Sequence, residues 1–98
     1  MDDTTVRVTI EPAAGGGLVL TVAGYLDDQG GTVLANESRS ASCVGGLRVC
    51  FDLARVRLFN CSGVRRLIAV LRELDRSGCE VELVGVNPPL QRLLDLAV

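Results

Sequence analysis

Polar and apolar residues alternate along TVRVTIE at 5–11, which puts Val6, Val8 and Ile10 on one side of an extended chain. This pattern predicts a half-buried strand, ended by Pro12, which has no N–H to give a ladder. Three consecutive glycines within 13–17 supply a turn, and LVLTVA at 18–23 is a second strand at hairpin distance. Residues 24–28 read as the loop leaving it. Over 29–43 the spacing of Val33, Leu34, Ser38 and Ala41 is helical, in spite of Gly30 and Gly31, each costing about 1 kcal/mol against Ala. Gly45 and Gly46 break the chain. LRVCFDL at 47–53 then carries apolar side chains at every second position and predicts a central strand.

Residues 55–60 read as a connection, unusually apolar through Val56, Leu58 and Phe59 and therefore packed down. The clearest helix follows. Val64, Leu67, Ile68, Leu71 and Leu74 form one continuous stripe, with Arg65, Arg66, Arg72, Glu73 and Arg76 on the other side and Ser77-Gly78 as its end. EVELV at 80–84 is a further strand. Asn87-Pro88-Pro89 gives a capping residue with prolines in the first turn, and Leu90, Leu93, Leu94 and Ala97 line a short last helix.

The order is ββαβαβα, within a single domain over 1–98 that has no linker, repeat or low-complexity segment. The strand–helix–strand unit over 47–84 implies a right-handed crossover with parallel pairing, whereas the opening hairpin is antiparallel. The expected fold is therefore α/β: a mixed sheet of about four strands with helices packed on it.

Composition narrows the function. Ninety-eight residues with 48% apolar content suffice for one core, but only Tyr25, Phe51 and Phe59 are aromatic, so Leu, Val and Ala must build it. A formal charge of −2 speaks against a nucleic-acid binder that neutralises phosphates. All ten basic residues are Arg, which suits bidentate contact with carboxylates. No window reaches the roughly 18 apolar residues of a membrane span. The acidic start, Met1-Asp2-Asp3-Thr4, lacks the regions of a signal peptide, so a cytoplasmic location is the default expectation.

Cysteines at 43, 50, 61 and 79 contain no CxxC pair, and the chain has no His. Free thiols in a reducing compartment are expected rather than a zinc site, and no metal or cofactor is called for. Without His there is no ordinary Ser-His or Cys-His nucleophile pair, which argues against an independent enzyme.

The most informative stretch is Asn60-Cys61-Ser62-Gly63, after a strand and at the start of the best helix. Ser62 has two available roles. As an N-cap, its oxygen would accept a bond from a first-turn amide. As a phosphorylation site, its phosphate would be favoured by first-turn amides and the helix dipole, and would add about −1.5 to −2 charge to a docking surface. Cys61 is either a small residue filling the turn or a redox-sensitive thiol at a helix start. Arg65 and Arg66 are either a solvated face or contacts to a partner's acidic residues or to a phosphate. Asp28 and Asp52 read as loop or strand-end carboxylates.

Four segments together resemble the STAS family, named for sulfate transporters and anti-sigma factor antagonists. They are Gly24-Tyr25-Leu26-Asp27; Val49-Cys50-Phe51-Asp52-Leu53; Asn60-Cys61-Ser62-Gly63; and Leu83-Val84-Gly85 followed by Asn87-Pro88 and Leu93-Leu94. They span nearly the whole chain. The resemblance implies a bacterial antagonist whose Ser, preceding Gly in a DSSG-like turn, is phosphorylated by a cognate anti-sigma factor with ATP-dependent kinase activity. In its dephosphorylated form the antagonist binds that kinase and frees a sigma factor for transcription.

Ser62 takes the acceptor position, and Asp27 matches the acidic residue that lies beside it. Asn60, Cys61, Gly63, Arg65 and Arg66 complete the expected partner surface. Asn60 and Cys61 replace the family's Asp and Ser, which leaves two alternatives: an accessory subunit of a lipid or anion transport system, or a redox-responsive module using Cys61. Many members continue past the leucine-rich last helix with another strand and helix, so a chain ending at Val98 is expected to be trimmed or minimal.

Overall fold

A computed structural model describes residues 6–41 and 48–97 of the chain. Seven elements follow in order: β1 (Arg7–Pro12), β2 (Leu18–Leu26), α1 (Asp28–Ala41), β3 (Arg48–Phe59), α2 (Cys61–Arg76), β4 (Glu80–Val84) and α3 (Pro88–Ala97). The expected break at Gly45-Gly46, the strand position Leu47, the thiol of Cys43 and both chain ends lie outside the described residues.

The four strands form one sheet in the order β1-β2-β3-β4. The hairpin β1–β2 is antiparallel, and β2–β3 and β3–β4 are parallel, so the mixed sheet read from the sequence is the one observed. Register aligns Ile10, Leu20, Phe51 and Leu83 as one rung across all four strands. Leu20 and Phe51 are fully buried there. Leu34 of α1, Val64, Leu67, Val70 and Leu74 of α2, and Leu90 and Leu94 of α3 join them in one cluster. Each such buried Leu, Val or Phe contributes about 1.5–3 kcal/mol relative to exposure. On the other face, the adjacent rung of Glu11, Val19, Cys50 and Glu82 holds no buried residue.

Two boundaries differ from the sequence expectation. Residues 24–26 continue β2 rather than leaving it as a loop, and residues 55–59 continue β3 rather than forming a connection. In β2 the alternation of Leu20, Val22 and Leu26 is unbroken, and only Gly24 between them hides the strand. In β3 the reason is a pair of register shifts against β2, at Thr21/Ala23 and at Gly24/Tyr25. At each shift β3 spends one extra residue, as a β-bulge does, and this breaks the two-residue alternation that marks a strand. The Asp52 carboxylate accepts the Ala54 N–H at 3.0 Å beside the first of these shifts, and Gly24 answers the second with φ 99°.

Asp28, read as a loop carboxylate, is the first residue of α1. In α2, Ile68 and Leu71 of the expected stripe are only partly buried, whereas Val70 is buried. The helix meets α1 as well as the sheet: Val70 and Leu74 face Ala35 and Ser38 across a small cavity. Gly78, at φ 84°, ends α2 as expected, and Asn87 caps α3 through its Oδ1 and the Leu90 amide at 2.9 Å.

Candidate functional site at the start of α2

The sequence places two cap-forming residues before the first stripe position of α2, and the earlier one takes the cap. Asn60 is extended (φ −131°, ψ 174°), and its Oδ1 accepts the Gly63 N–H at 2.9 Å. Its carbonyl accepts the Val64 N–H at 3.0 Å, the first bond of the helix. The capping role offered to Ser62 therefore belongs to Asn60, two residues upstream, because Asn caps as well as Ser does. Ser62 is the second residue of the helix, exposed. Its hydroxyl is not spent on a cap.

What holds this turn in place is Gly63, which is buried. A Cβ there would overlap the Leu26 carbonyl and come within 2.9 Å of the Asp27 nitrogen. The Asn60 N–H also donates to the Leu26 oxygen, at 3.1 Å. The first turn of α2 thus lies directly on the end of β2, and only glycine permits that approach.

Asp27 is brought beside the turn through its backbone, but its carboxylate is used locally. Oδ1 accepts the Gly30 N–H at 2.7 Å and the carbonyl accepts the Gly31 N–H at 2.8 Å, so Asp27 caps α1. Its neighbour Asp28 forms an ion pair with Arg66 at 3.0 Å, with side chains 62% and 49% exposed. A Cβ on Gly31 would overlap the Arg66 Cβ and sit 2.8 Å from its Cγ, so the arginine stem lies on the glycine.

Arg65 diverges from Arg66. It lines a groove between α2 and α3 with Cys61, Val64, Ile68, Leu93 and Leu96. The two arginines that the sequence offered as one face serve different neighbours. The Asp28–Arg66 pair was not anticipated, because a segment starting Asp-Gln-Gly-Gly gives little helical signal to fix which way Asp28 points.

Cys61 is exposed, Cys50 half-buried and Cys79 buried, and all three are free thiols. Burial first, then the carboxylates of Glu82 and Asp52, pushes the Cys50 thiol above its ordinary pKa. Among the described residues, no group of three or more His, Cys, Asp or Glu is placed to hold a metal ion. No described helix is long and apolar enough to cross a membrane.

Comparison with known proteins gives a consistent picture. A family profile described as Mlab, STAS domain, matches residues 11–97. Among curated proteins, no significant match is found. The antisigma-factor antagonist STAS domain from Rhodobacter sphaeroides is 25% identical with a TM-score of 0.67, over 86% of this chain and 90% of that one. The Bacillus cell fate determinant SpoIIAA in its phosphorylated form is 17% identical with a TM-score of 0.73, over 93% of this chain and 83% of that one. The murine Slc26a9 anion transporter is 10% identical with a TM-score of 0.72, over 95% of this chain but 18% of that one. The last two likenesses speak for the fold alone.

Proposed function

The chain belongs to the STAS domain family, and from that premise we propose that it is a cytoplasmic anti-sigma factor antagonist switched by phosphorylation at Ser62. In its unmodified form it binds an anti-sigma factor that has kinase activity, and the sigma factor is released to direct transcription. The kinase then transfers the γ-phosphoryl of ATP to the Ser62 Oγ; the hydroxyl proton is lost and ADP leaves. The chain is the substrate of this reaction, not its catalyst.

One observation carries the reading: Ser62 is exposed in the first turn of α2 while Asn60 makes the cap. Phosphorylation therefore removes no bond that the helix start depends on. The first-turn amides and the positive helix end favour a dianion at that position. The added charge of about −1.5 to −2 would desolvate poorly in an interface and repel acidic groups there.

Incubation with the anti-sigma kinases of the host and ATP, followed by mass spectrometry, tests this directly. Phosphate is expected on Ser62 of the parent chain and absent from Ser62→Ala. No incorporation, or incorporation elsewhere only, would overturn the switch. One observation favours a second reading, a subunit of a lipid or anion transport system that binds its ATPase without modification. It is the replacement of the DSSG-like carboxylate and hydroxyl by Asn60 and Cys61. A chain that binds such an ATPase and takes no phosphate would select it.

A further inference from the structure

We propose that Arg66 is the side chain that receives a phosphate on Ser62, and that it leaves Asp28 to do so, so that modifying the first turn of α2 unclips the first turn of α1. This inference rests on the phosphorylation read above. Arg66 lies four residues beyond Ser62, one helical turn along α2. Helical side chains lean toward the N-terminus, so a long side chain at i+4 extends over residue i. In the unmodified chain that side chain is turned to α1 instead: its stem is seated on Gly31, and its Nε reaches Asp28 Oδ1 at 3.0 Å, in the first turn of α1.

Both partners of that ion pair are open to solvent, at 49% and 62% exposure, which makes it a weak bond and one easily exchanged. A carboxylate offers a single negative charge. A phosphate offers nearly two charges and three acceptor oxygens, a match for the planar guanidinium fork. The other candidate, Arg65 at i+3, lines the groove toward α3 with Cys61, Val64, Ile68, Leu93 and Leu96, whereas Arg66 is the arginine placed against α1. Asp27 has a different task, since its Oδ1 accepts the Gly30 amide at the start of α1. The result is a local device: the same guanidinium joins α2 to α1 before modification and covers the phosphate after it.

The test uses the full chain with phosphoserine installed genetically at position 62, so that no kinase is involved. The second ionisation of the phosphate is followed by phosphorus NMR in the parent, Arg66→Gln, Arg65→Gln and Asp28→Asn backgrounds. The expected pKa in the parent is lower than in Arg66→Gln by roughly 0.2–0.4 units, the shift that corresponds to an exposed helical ion pair. Asp28→Asn should lower it further by releasing the competitor, and Arg65→Gln should move it less than Arg66→Gln does. Equal values in the parent and Arg66→Gln, or a larger effect from Arg65→Gln, would overturn the exchange. A kinase assay that leaves Ser62 unmodified would instead remove the phosphoswitch itself, and the two failures are read in separate experiments.

Discussion

Gly63 decides how closely α2 can approach the end of β2, and with it where Ser62 stands. A methyl at that position meets the backbone of Leu26 and Asp27 rather than a flexible side chain, so nothing nearby can yield cheaply. Gly63→Ala is expected to lower the unfolding free energy by about 1–3 kcal/mol, the range for an overpacked site, in urea denaturation. Asn60→Ala should cost about 1 kcal/mol through loss of the cap, whereas Asn60→Asp should keep most of the stability because a carboxylate caps equally well. Unchanged stability in Gly63→Ala and Asn60→Ala would mean that the turn is held by something else. The exposed hydroxyl and its glycine neighbour were legible in the sequence as a small turn ahead of an amphipathic stripe. The division of labour between Asn60 and Ser62 was not, because both residue types form caps and the apolar stripe begins only at Val64, too late to choose between them.

At the scale of elements, the packing of α1 on α2 has one visible flaw. Ser38 is 3% exposed and its Oγ has no hydrogen-bond partner, beside a small cavity shared with Ala35, Val70 and Leu74. An unsatisfied buried hydroxyl is costly, and Ala is the better helix former. Ser38→Ala is therefore expected to raise stability by about 0.5–1 kcal/mol in the same denaturation experiment; a loss would contradict this account of the α1–α2 contact. Helix α1 was legible only from a few spaced residues against two glycines, and Gly31 turns out to be useful there as the seat of Arg66. The far half of β3 was misread for a clear reason. Leu53 and Val56 are both buried with two exposed residues between them, so the bulge hides the strand period just where β3 approaches the site.

Across the whole molecule, the order of elements and the mixed sheet follow from patterns that a single chain displays openly: alternation in the strands and a stripe in α2 and α3. The site sits where β2 and β3, a parallel pair, both end, with α2 starting beside the last residue of β2. Open α/β sheets commonly place their binding surfaces at such strand ends. Fold alone does not settle the activity, since likeness in fold extends here from a cell fate determinant to an anion transporter. The functional claim rests instead on the Ser62 turn. Its most direct test is the affinity of the chain for the proposed anti-sigma factor partner, measured by calorimetry with serine and with phosphoserine at position 62. The account predicts binding about tenfold or more weaker for the phosphorylated chain, with its far-UV circular dichroism unchanged. Equal affinity for the two forms would contradict it.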